Sequence, residues 1–176
     1  MDKKIRLNTP LSDKAIASLR AGDEVLISGA VYGARDQAHK RLCGLLDAGK
    51  NLPIDLAGAA VYYVGPTPAH EGRVIGSAGP TTSTRMDPFT PALLARGLKA
   101  TIGKGYRGPE VQEAMVKYKA VHLATMGGFG ALLAKHITAS EIIAYEDLGT
   151  EAIRRLVFED FPAVVAYDIH GNTVYK

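Results

Sequence analysis

The stretch VLISGAVYGARDQAHKRLCGLL, residues 25–46, indicates the fold class because it joins a strand pattern to a helix pattern. Its first three residues form a short apolar run typical of a buried strand, which we expect to end at Ser28-Gly29. Over residues 35–46 the apolar side chains recur at helical spacing, before Gly49 closes the segment. A strand followed by an amphipathic helix is the building unit of an α/β domain.

The same alternation continues through the rest of the chain. Apolar runs predict strands over residues 5–9, 59–64, 74–75, 100–102, 121–125, 142–145 and 163–168. Helical spacing predicts helices over residues 11–19, 88–96, 109–117 and 150–157, and a short one after Gly130. Some neighbouring strands are too close for a crossover helix, so we expect an α/β fold with strands of both directions. Nothing repeats at a fixed period, so residues 1–176 are predicted to form a single domain.

The overall composition argues against several classes of partner. The chain has 176 residues, with 21 Lys and Arg against 18 Asp and Glu and no basic block. This balance argues against nucleic acid as the main partner and leaves a small anionic ligand open. No apolar run approaches the roughly 18–20 residues that span a bilayer, and residues 1–14 lack a signal-peptide pattern. We therefore expect a cytoplasmic protein without a membrane segment.

Cysteine and histidine usage limits the metal chemistry of the chain. The single cysteine, Cys43, excludes an internal disulfide, a multi-cysteine zinc site and an iron–sulfur cluster held only by this chain's thiolates. The five histidines show no HExxH or other close ligand spacing, so we expect no metal site made by this chain alone. His122 lies within an apolar strand pattern, which favours a hydrogen-bonded core histidine.

Four glycine-flanked segments, each expected to end a strand, form the candidate ligand site. They are Ser28-Gly29 leading to Arg35, GPTTSTR over residues 79–85, IGKG over residues 102–105, and the turn over residues 127–130. Ligands of open α/β sheets bind where loops leave the strand ends, so we expect these segments to converge. Glycine admits close backbone approach and arginine can grip a carboxylate with two hydrogen bonds, which favours an anionic ligand. Taken singly, each segment is better explained as an ordinary turn.

Two further groups of side chains lie next to these segments. His39 follows Arg35 by one helical turn, so the two share a helix face and His39 is a candidate for supporting the site. Residues 81–84 form a hydroxyl cluster beside Arg85. This cluster is explained either as a turn or helix cap, or as a source of ligand hydrogen bonds or proton transfer.

The order of the motifs resembles a known family over almost the whole chain. The motifs are SGxxxxxRDxAHKR (28–41), YxGP (63–66), GPTTSxRMD (79–87), IGKG (102–105) and GGxGAL (127–132). This order resembles the β subunit of class I, iron–sulfur-dependent fumarases. The β subunit of L-tartrate dehydratase and the C-terminal half of the fused single-chain enzymes are similar. For the fold, the resemblance implies a swivelling β/β/α domain in which a mixed sheet is flanked by helices.

For function, the resemblance implies reversible hydration of fumarate to malate. It assigns Arg35 and Arg85 to the substrate carboxylates, Lys104 to a further cation at the site, and Thr81 to the catalytic base. The resemblance also implies Thr82 as a further substrate contact. It implies Asp36 and His39 as residues that support the site from behind. A threonine hydroxyl is a very weak base unless it is ionised, so a role for Thr81 in hydrogen bonding alone stays open.

The resemblance also implies a partner. In the family, a 4Fe-4S cluster with one open iron binds the substrate hydroxyl, and its cysteine ligands belong to an α subunit. We therefore expect a heterodimeric unit within an α2β2 assembly, active only when both subunits are present. The motifs do not separate fumarate hydration from dehydration of tartrate to oxaloacetate. A stand-alone anion-binding domain without catalysis is the alternative from a different functional class.

Overall fold

A computed structural model describes residues 3–176, where it shows seven strands and five α-helices. The strands are β1 (Ile5–Asn8), β2 (Glu24–Gly33), β3 (Ala60–Tyr62), β4 (Ala100–Gly103), β5 (Val121–Ala124), β6 (Ile137–Ala144) and β7 (Ile153–Tyr167). The helices are α1 (Asp13–Ser18), α2 (Asp36–Asp47), α3 (Thr90–Leu94), α4 (Pro109–Tyr118) and α5 (Gly130–Ala134), with 3₁₀ helices at Ser83–Met86 and Glu146–Glu151. Residues 1 and 2, which belong to the predicted domain and to the predicted signal-free N-terminus, lie outside the described residues.

The strands form one mixed sheet that closes on itself. Strands β1 to β5 pair in parallel in chain order. The long strand β7 then pairs antiparallel with β5 at one side and with β2 at the other, so β2, β3, β4, β5 and β7 form a closed circuit. Strand β6 pairs with the first half of β7. The predicted α/β fold with strands of both directions is confirmed.

Two hydrophobic cores lie on opposite faces of this sheet, as the alternation of side chains along a strand requires. In β3, Tyr62 packs with Phe158 and Phe161 in the core enclosed by the strands. Its neighbour Tyr63 packs in the second core, against the apolar faces of α2, α3 and α4. A mixed sheet flanked by helices, the architecture that the resemblance implied, is therefore what the structure shows.

Strand β2 does not end at Ser28-Gly29, so that prediction is wrong. The strand continues to Gly33, and its register with β7 shifts between Ile27 and Gly29. Gly29 has a φ of +106°, and a side chain there would collide with Thr9. The glycine therefore forms an irregularity within the strand, where a turn was expected.

The predicted helix over residues 150–157 and the predicted strand over 74–75 are also wrong. Residues 153–167 form β7, which pairs with β6 and β2 on its two edges. Within that range the spacing imitates a helix because the buried residues Ile153 and Leu156 are three positions apart, and the register of β7 with β6 is irregular beside them, between Ile142 and Ala144. Residues 74–75 lie in a loop, although Ile75 is buried in the core.

The helices in the described part of the chain are all too short or too polar to cross a membrane. The predicted cytoplasmic location stays a prediction.

Candidate active site

The loops that follow β2, β3, β4 and β5 meet at one end of the sheet. Arg35 is the residue before α2, so it lies just beyond the end of β2. Thr82 forms an isolated bridge with Lys104, the residue after β4, so the GPTTSTR and IGKG segments run side by side. The glycine-flanked segments therefore converge as expected. The strand before Arg35 ends at Gly33, however, and not at Ser28-Gly29.

Asp36 connects the two arginines of the site. Arg85 Nε and Arg85 Nη2 both donate to Asp36 Oδ2, each at 2.9 Å. The other oxygen, Asp36 Oδ1, lies 4.0 Å from Arg35 Nε. Both Arg35 Nε and Asp36 Oδ1 are buried and have no hydrogen-bond partner among residues 3–176. Buried polar atoms are normally satisfied, so this donor and this acceptor, 4.0 Å apart, are two unfilled hydrogen-bonding positions at the site.

Gly65, in the YxGP motif, makes room for the Arg35 guanidinium. A Cβ built on Gly65 would lie 2.5 Å from Arg35 Nη1 and 2.8 Å from Arg35 Cδ. Both distances are shorter than any ordinary contact, so a side chain at Gly65 would displace Arg35. The motif glycine therefore has a steric role that the sequence pattern alone did not explain.

Thr81 and Lys104 are fixed through their backbones at the ends of β3 and β4. The Thr81 amide donates to the Tyr63 carbonyl at 2.7 Å, and the Lys104 amide donates to the Thr81 carbonyl at 3.3 Å. The Lys104 carbonyl in turn accepts from the Ser83 amide at 2.9 Å. These bonds bring the predicted base beside the predicted cation. A Cβ on Gly127 would lie 3.5 Å from Lys104 Nζ, so the fourth glycine segment also borders the site.

His39 holds the backbone of Arg35 through a hydrogen bond. Its Nδ1 donates to the Arg35 carbonyl at 2.7 Å, and its ring packs edge-on against Tyr63 at 5.4 Å between centroids. The side chain is fully buried, and burial lowers the pKa of His39 to about 4. His39 is therefore neutral at pH 7 and lies behind the backbone that carries Arg35.

The charges of the site leave it strongly positive. Arg35, Arg85 and Lys104 supply three cations, and Asp36 supplies one carboxylate. Within residues 3–176, no carboxylate lies within 4.0 Å of the Lys104 ammonium. Two positive charges are thus unmatched, which suits a ligand with two negative charges.

The sequence model described as Fumarase C-terminus matches residues 1–176. The chain belongs to this family. Similar proteins include the anaerobic class I fumarate hydratase of Escherichia coli (strain K12) and the mitochondrial fumarate hydratase 1 of Leishmania major. Each is 35% identical over 98% of this chain, which covers 32% of that protein.

A second kind of relative is shorter. A candidate L(+)-tartrate dehydratase subunit beta of Methanocaldococcus jannaschii is 34% identical over 94% of this chain and 88% of that protein. The chain thus spans about a third of the fumarate hydratases that it matches and nearly all of this subunit.

The residues of this family member do not fit an iron–sulfur cluster. Among residues 3–176, no three histidine, cysteine, aspartate or glutamate side chains are grouped so that they could hold a metal ion. Cys43 is half-buried, its Sγ lies 3.6 Å from the Phe89 carbonyl, and burial raises its pKa. A protonated thiol in that position is a packing residue.

Sequence reasoning missed Arg107, whose side chain is fully buried beside the site. Arginine is normally exposed, and nothing in the RGP sequence at the start of α4 signals a buried guanidinium. The predicted hydrogen-bonded core role of His122 is confirmed, since both ring nitrogens are bonded. The catalytic and substrate-binding roles of Thr81, Thr82 and the three cations stay predictions.

Proposed function

We propose that this chain is the β subunit of a fumarate hydratase, which interconverts fumarate and (S)-malate by addition and loss of water. The observation that carries the proposal is that Arg35 and Arg85 meet at one carboxylate, Asp36, while Lys104 lies on the neighbouring loop, where its backbone pairs with Thr82. This cluster has the charge that a dicarboxylate needs. The relatives named as fumarate hydratases support the same class of substrate.

The cations lower the barrier for proton removal. In the dehydration direction, a base takes the proton from the carbon next to one carboxylate, and that carboxylate gains negative charge. Fixed arginine and lysine groups bind it more strongly as this charge develops, which is how differential binding accelerates a reaction. Thr81 is the proposed base, and Lys104, whose amide donates to the Thr81 carbonyl, is proposed as the cation that stabilises charge on the Thr81 hydroxyl oxygen. Thr82 is proposed as a further substrate contact.

Loss of hydroxide from the adjacent carbon needs a Lewis acid or a proton donor. We assign this task to a 4Fe-4S cluster on a partner α subunit, because residues 3–176 contain no group that could hold a metal. The partner would correspond to the part of the fumarate hydratases that this chain does not cover. We propose an α2β2 assembly in which the active site forms between the two kinds of subunit.

Tartrate dehydration to oxaloacetate is the second candidate function. The observation that favours it is the relative from Methanocaldococcus jannaschii, whose whole length this chain nearly covers. Tartrate is also a dicarboxylate that loses water from neighbouring carbons, so the same three cations would serve. The two reactions differ in a substrate hydroxyl rather than in the carboxylates that the cations bind.

The test is activity of the assembled enzyme. The two chains are co-expressed, the cluster is rebuilt without oxygen, and loss of fumarate absorbance is followed with tartrate assayed in parallel. We expect fumarate consumption by the complex and none by this chain alone. Turnover of tartrate only would favour the second candidate. A complex with an intact cluster that converts neither substrate would contradict both.

A further inference from the structure

A buried network of hydrogen bonds lies beneath the loop of residues 81–87. Its centre is Arg107, whose side chain is fully buried. The guanidinium donates to four surrounding side chains: Asp87 Oδ1 (2.8 Å), Tyr63 OH (3.0 Å), Thr90 Oγ1 (2.7 Å) and Thr101 Oγ1 (3.1 Å). A guanidinium held from four directions in a fixed plane cannot turn, so Arg107 is a rigid anchor.

The network continues from Arg107 to the loop through two side chains. Thr101 Oγ1 lies 2.8 Å from His122 Nδ1, and His122 Nε2 lies 3.1 Å from Ser83 Oγ. Burial and the charge of Arg107 hold the pKa of His122 well below its ordinary value, so the ring is neutral. We assign its proton to Nε2, because the Nδ1 lone pair then faces the charged side of the network. The Thr101 hydroxyl thus accepts from Arg107 and donates to His122.

The network holds the loop at its middle and at its end. In the middle, His122 donates to Ser83, which begins the 3₁₀ helix that carries Arg85. At the end, Asp87 accepts from Arg107 Nε and, at 2.7 Å, from the Gly108 amide. Ser83 and Asp87 are thus both connected to Arg107 by side-chain hydrogen bonds, which restricts the movement of the residues between them.

The network also reaches the residue that positions Thr81. Tyr63 accepts from Arg107 through its hydroxyl, and its carbonyl accepts from the Thr81 amide. A side chain on Gly103 would collide with the Ser83 hydroxyl and approach the Tyr63 ring, so β4 packs tightly against both contacts. A shift of Arg107 would therefore be transmitted to Thr81 as well as to Arg85.

We propose that Arg107, Thr101 and His122 are positioning residues that hold Thr81 and Arg85 in their reactive arrangement. The inference rests on the proposed function, because it deepens the role of the same site. None of the three contacts the cations of the site directly, and they act through Ser83, Tyr63 and Asp87. We expect loss of the network to lower turnover more than substrate affinity, since the Arg85 guanidinium keeps its own bonds to Asp36.

Thr101→Val is the decisive variant, because it removes one buried hydroxyl and keeps the shape of the side chain. Removing Arg107 itself would leave Asp87 without its buried partner and could prevent folding. In the assembled enzyme we expect Thr101→Val to lower kcat by about 10- to 100-fold while KM changes by less than about threefold, since small misplacements of reacting groups are costly. Thr101→Ser keeps the hydroxyl and is expected to retain most of the wild-type kcat.

Thr125→Val is the matched control. Thr125 is also a buried threonine at a strand end, and its hydroxyl donates to the Pro162 carbonyl at 3.1 Å, away from the network. We expect it to lower thermal stability as Thr101→Val does and to leave kcat unchanged. The double variant Ser83→Ala with Thr101→Val is expected to be no slower than the slower single variant, because both break one chain of bonds. Equal kcat values for Thr101→Val and Thr125→Val would overturn the proposal.

A second measurement does not depend on turnover. Hydrogen exchange of the Ser83 and Arg85 amides, measured on the full chain, is expected to be faster in Thr101→Val than in Thr125→Val. Equal exchange rates would overturn the positioning network even if the enzyme is active. Inactivity of the wild-type complex on both substrates would instead contradict the proposed function, and the exchange rates would still decide whether the network holds the loop.

Discussion

At the scale of single residues, Gly65 determines where the Arg35 guanidinium lies. We predict that Gly65→Ala raises KM for fumarate by about 10-fold, because the added methyl group displaces a charged group whose hydrogen bonds contribute roughly 1.5–3 kcal/mol. Steady-state kinetics of the assembled enzyme measures this change. Gly44→Ala is the control, because Gly44 lies in α2, behind Arg35, and a Cβ there meets nothing within 4 Å. An unchanged KM in Gly65→Ala would contradict a role for Arg35 in substrate binding.

Thr81 is the residue on which the proposed chemistry depends most. We predict that Thr81→Val lowers kcat by about 10²- to 10⁴-fold, the usual contribution of a general base, while substrate still binds. Turnover and equilibrium binding of fumarate to the assembled enzyme measure the two effects separately. Thr84→Val, an exposed position in the same loop, should keep the wild-type rate. Turnover near wild type in Thr81→Val would remove the base role and leave only hydrogen bonding to substrate.

At the scale of elements, the Arg85–Asp36 pair joins the 3₁₀ helix at Ser83–Met86 to the first turn of α2. We predict that Arg85→Lys raises KM and lowers kcat, each by about 10-fold, because an ammonium cannot reproduce two donors in one plane. Kinetics with fumarate measures both parameters. Arg96→Lys makes the same exchange at an exposed position and should change neither. Retained KM in Arg85→Lys would show that this side chain does not bind a substrate carboxylate.

The elements also show which parts of the fold follow from sequence patterns. The helix at Asp36–Asp47 was predictable because Ala38 and Leu42 recur at helical spacing and face one core. Strand β7 was not, because its buried residues Ile153 and Leu156 are three positions apart and its partner β2 is distant in the chain. Pairing with a distant segment leaves little signal in the local sequence. A strand whose alternation is irregular can therefore be mistaken for a helix.

At the scale of the whole molecule, the site was more predictable than its support. Glycine segments beside Arg35, Arg85 and Lys104 could be expected to converge, because loops at one end of a sheet are neighbours. Arg107 could not be placed in the interior, because its burial depends on Asp87 and on three hydroxyl groups that folding brings around it. A buried charge is tolerated only where hydrogen-bonding partners surround it, and no pattern in the local sequence indicates that such partners come together.

The two buried histidines make global stability depend on pH. Burial lowers the pKa of His39 to about 4 and that of His122 well below its ordinary value, whereas in the unfolded chain each titrates near 6.5. Above pH 6.5 neither the folded nor the unfolded chain protonates His39, so its titration does not reduce the free energy of unfolding there. As the pH falls toward about 4, only the unfolded chain gains the proton, and His39 alone removes about 3 kcal/mol from the free energy of unfolding.

We therefore predict that urea denaturation of the full chain shows a falling free energy of unfolding between about pH 6.5 and pH 4.5. His39→Gln should flatten this dependence, because glutamine does not titrate, even though the variant is less stable at pH 7. His70→Gln changes an exposed histidine and should keep the wild-type slope. Identical slopes in wild type and His39→Gln would mean that His39 binds its proton as readily in the folded chain as in the unfolded one, which would contradict the lowering of its pKa by burial.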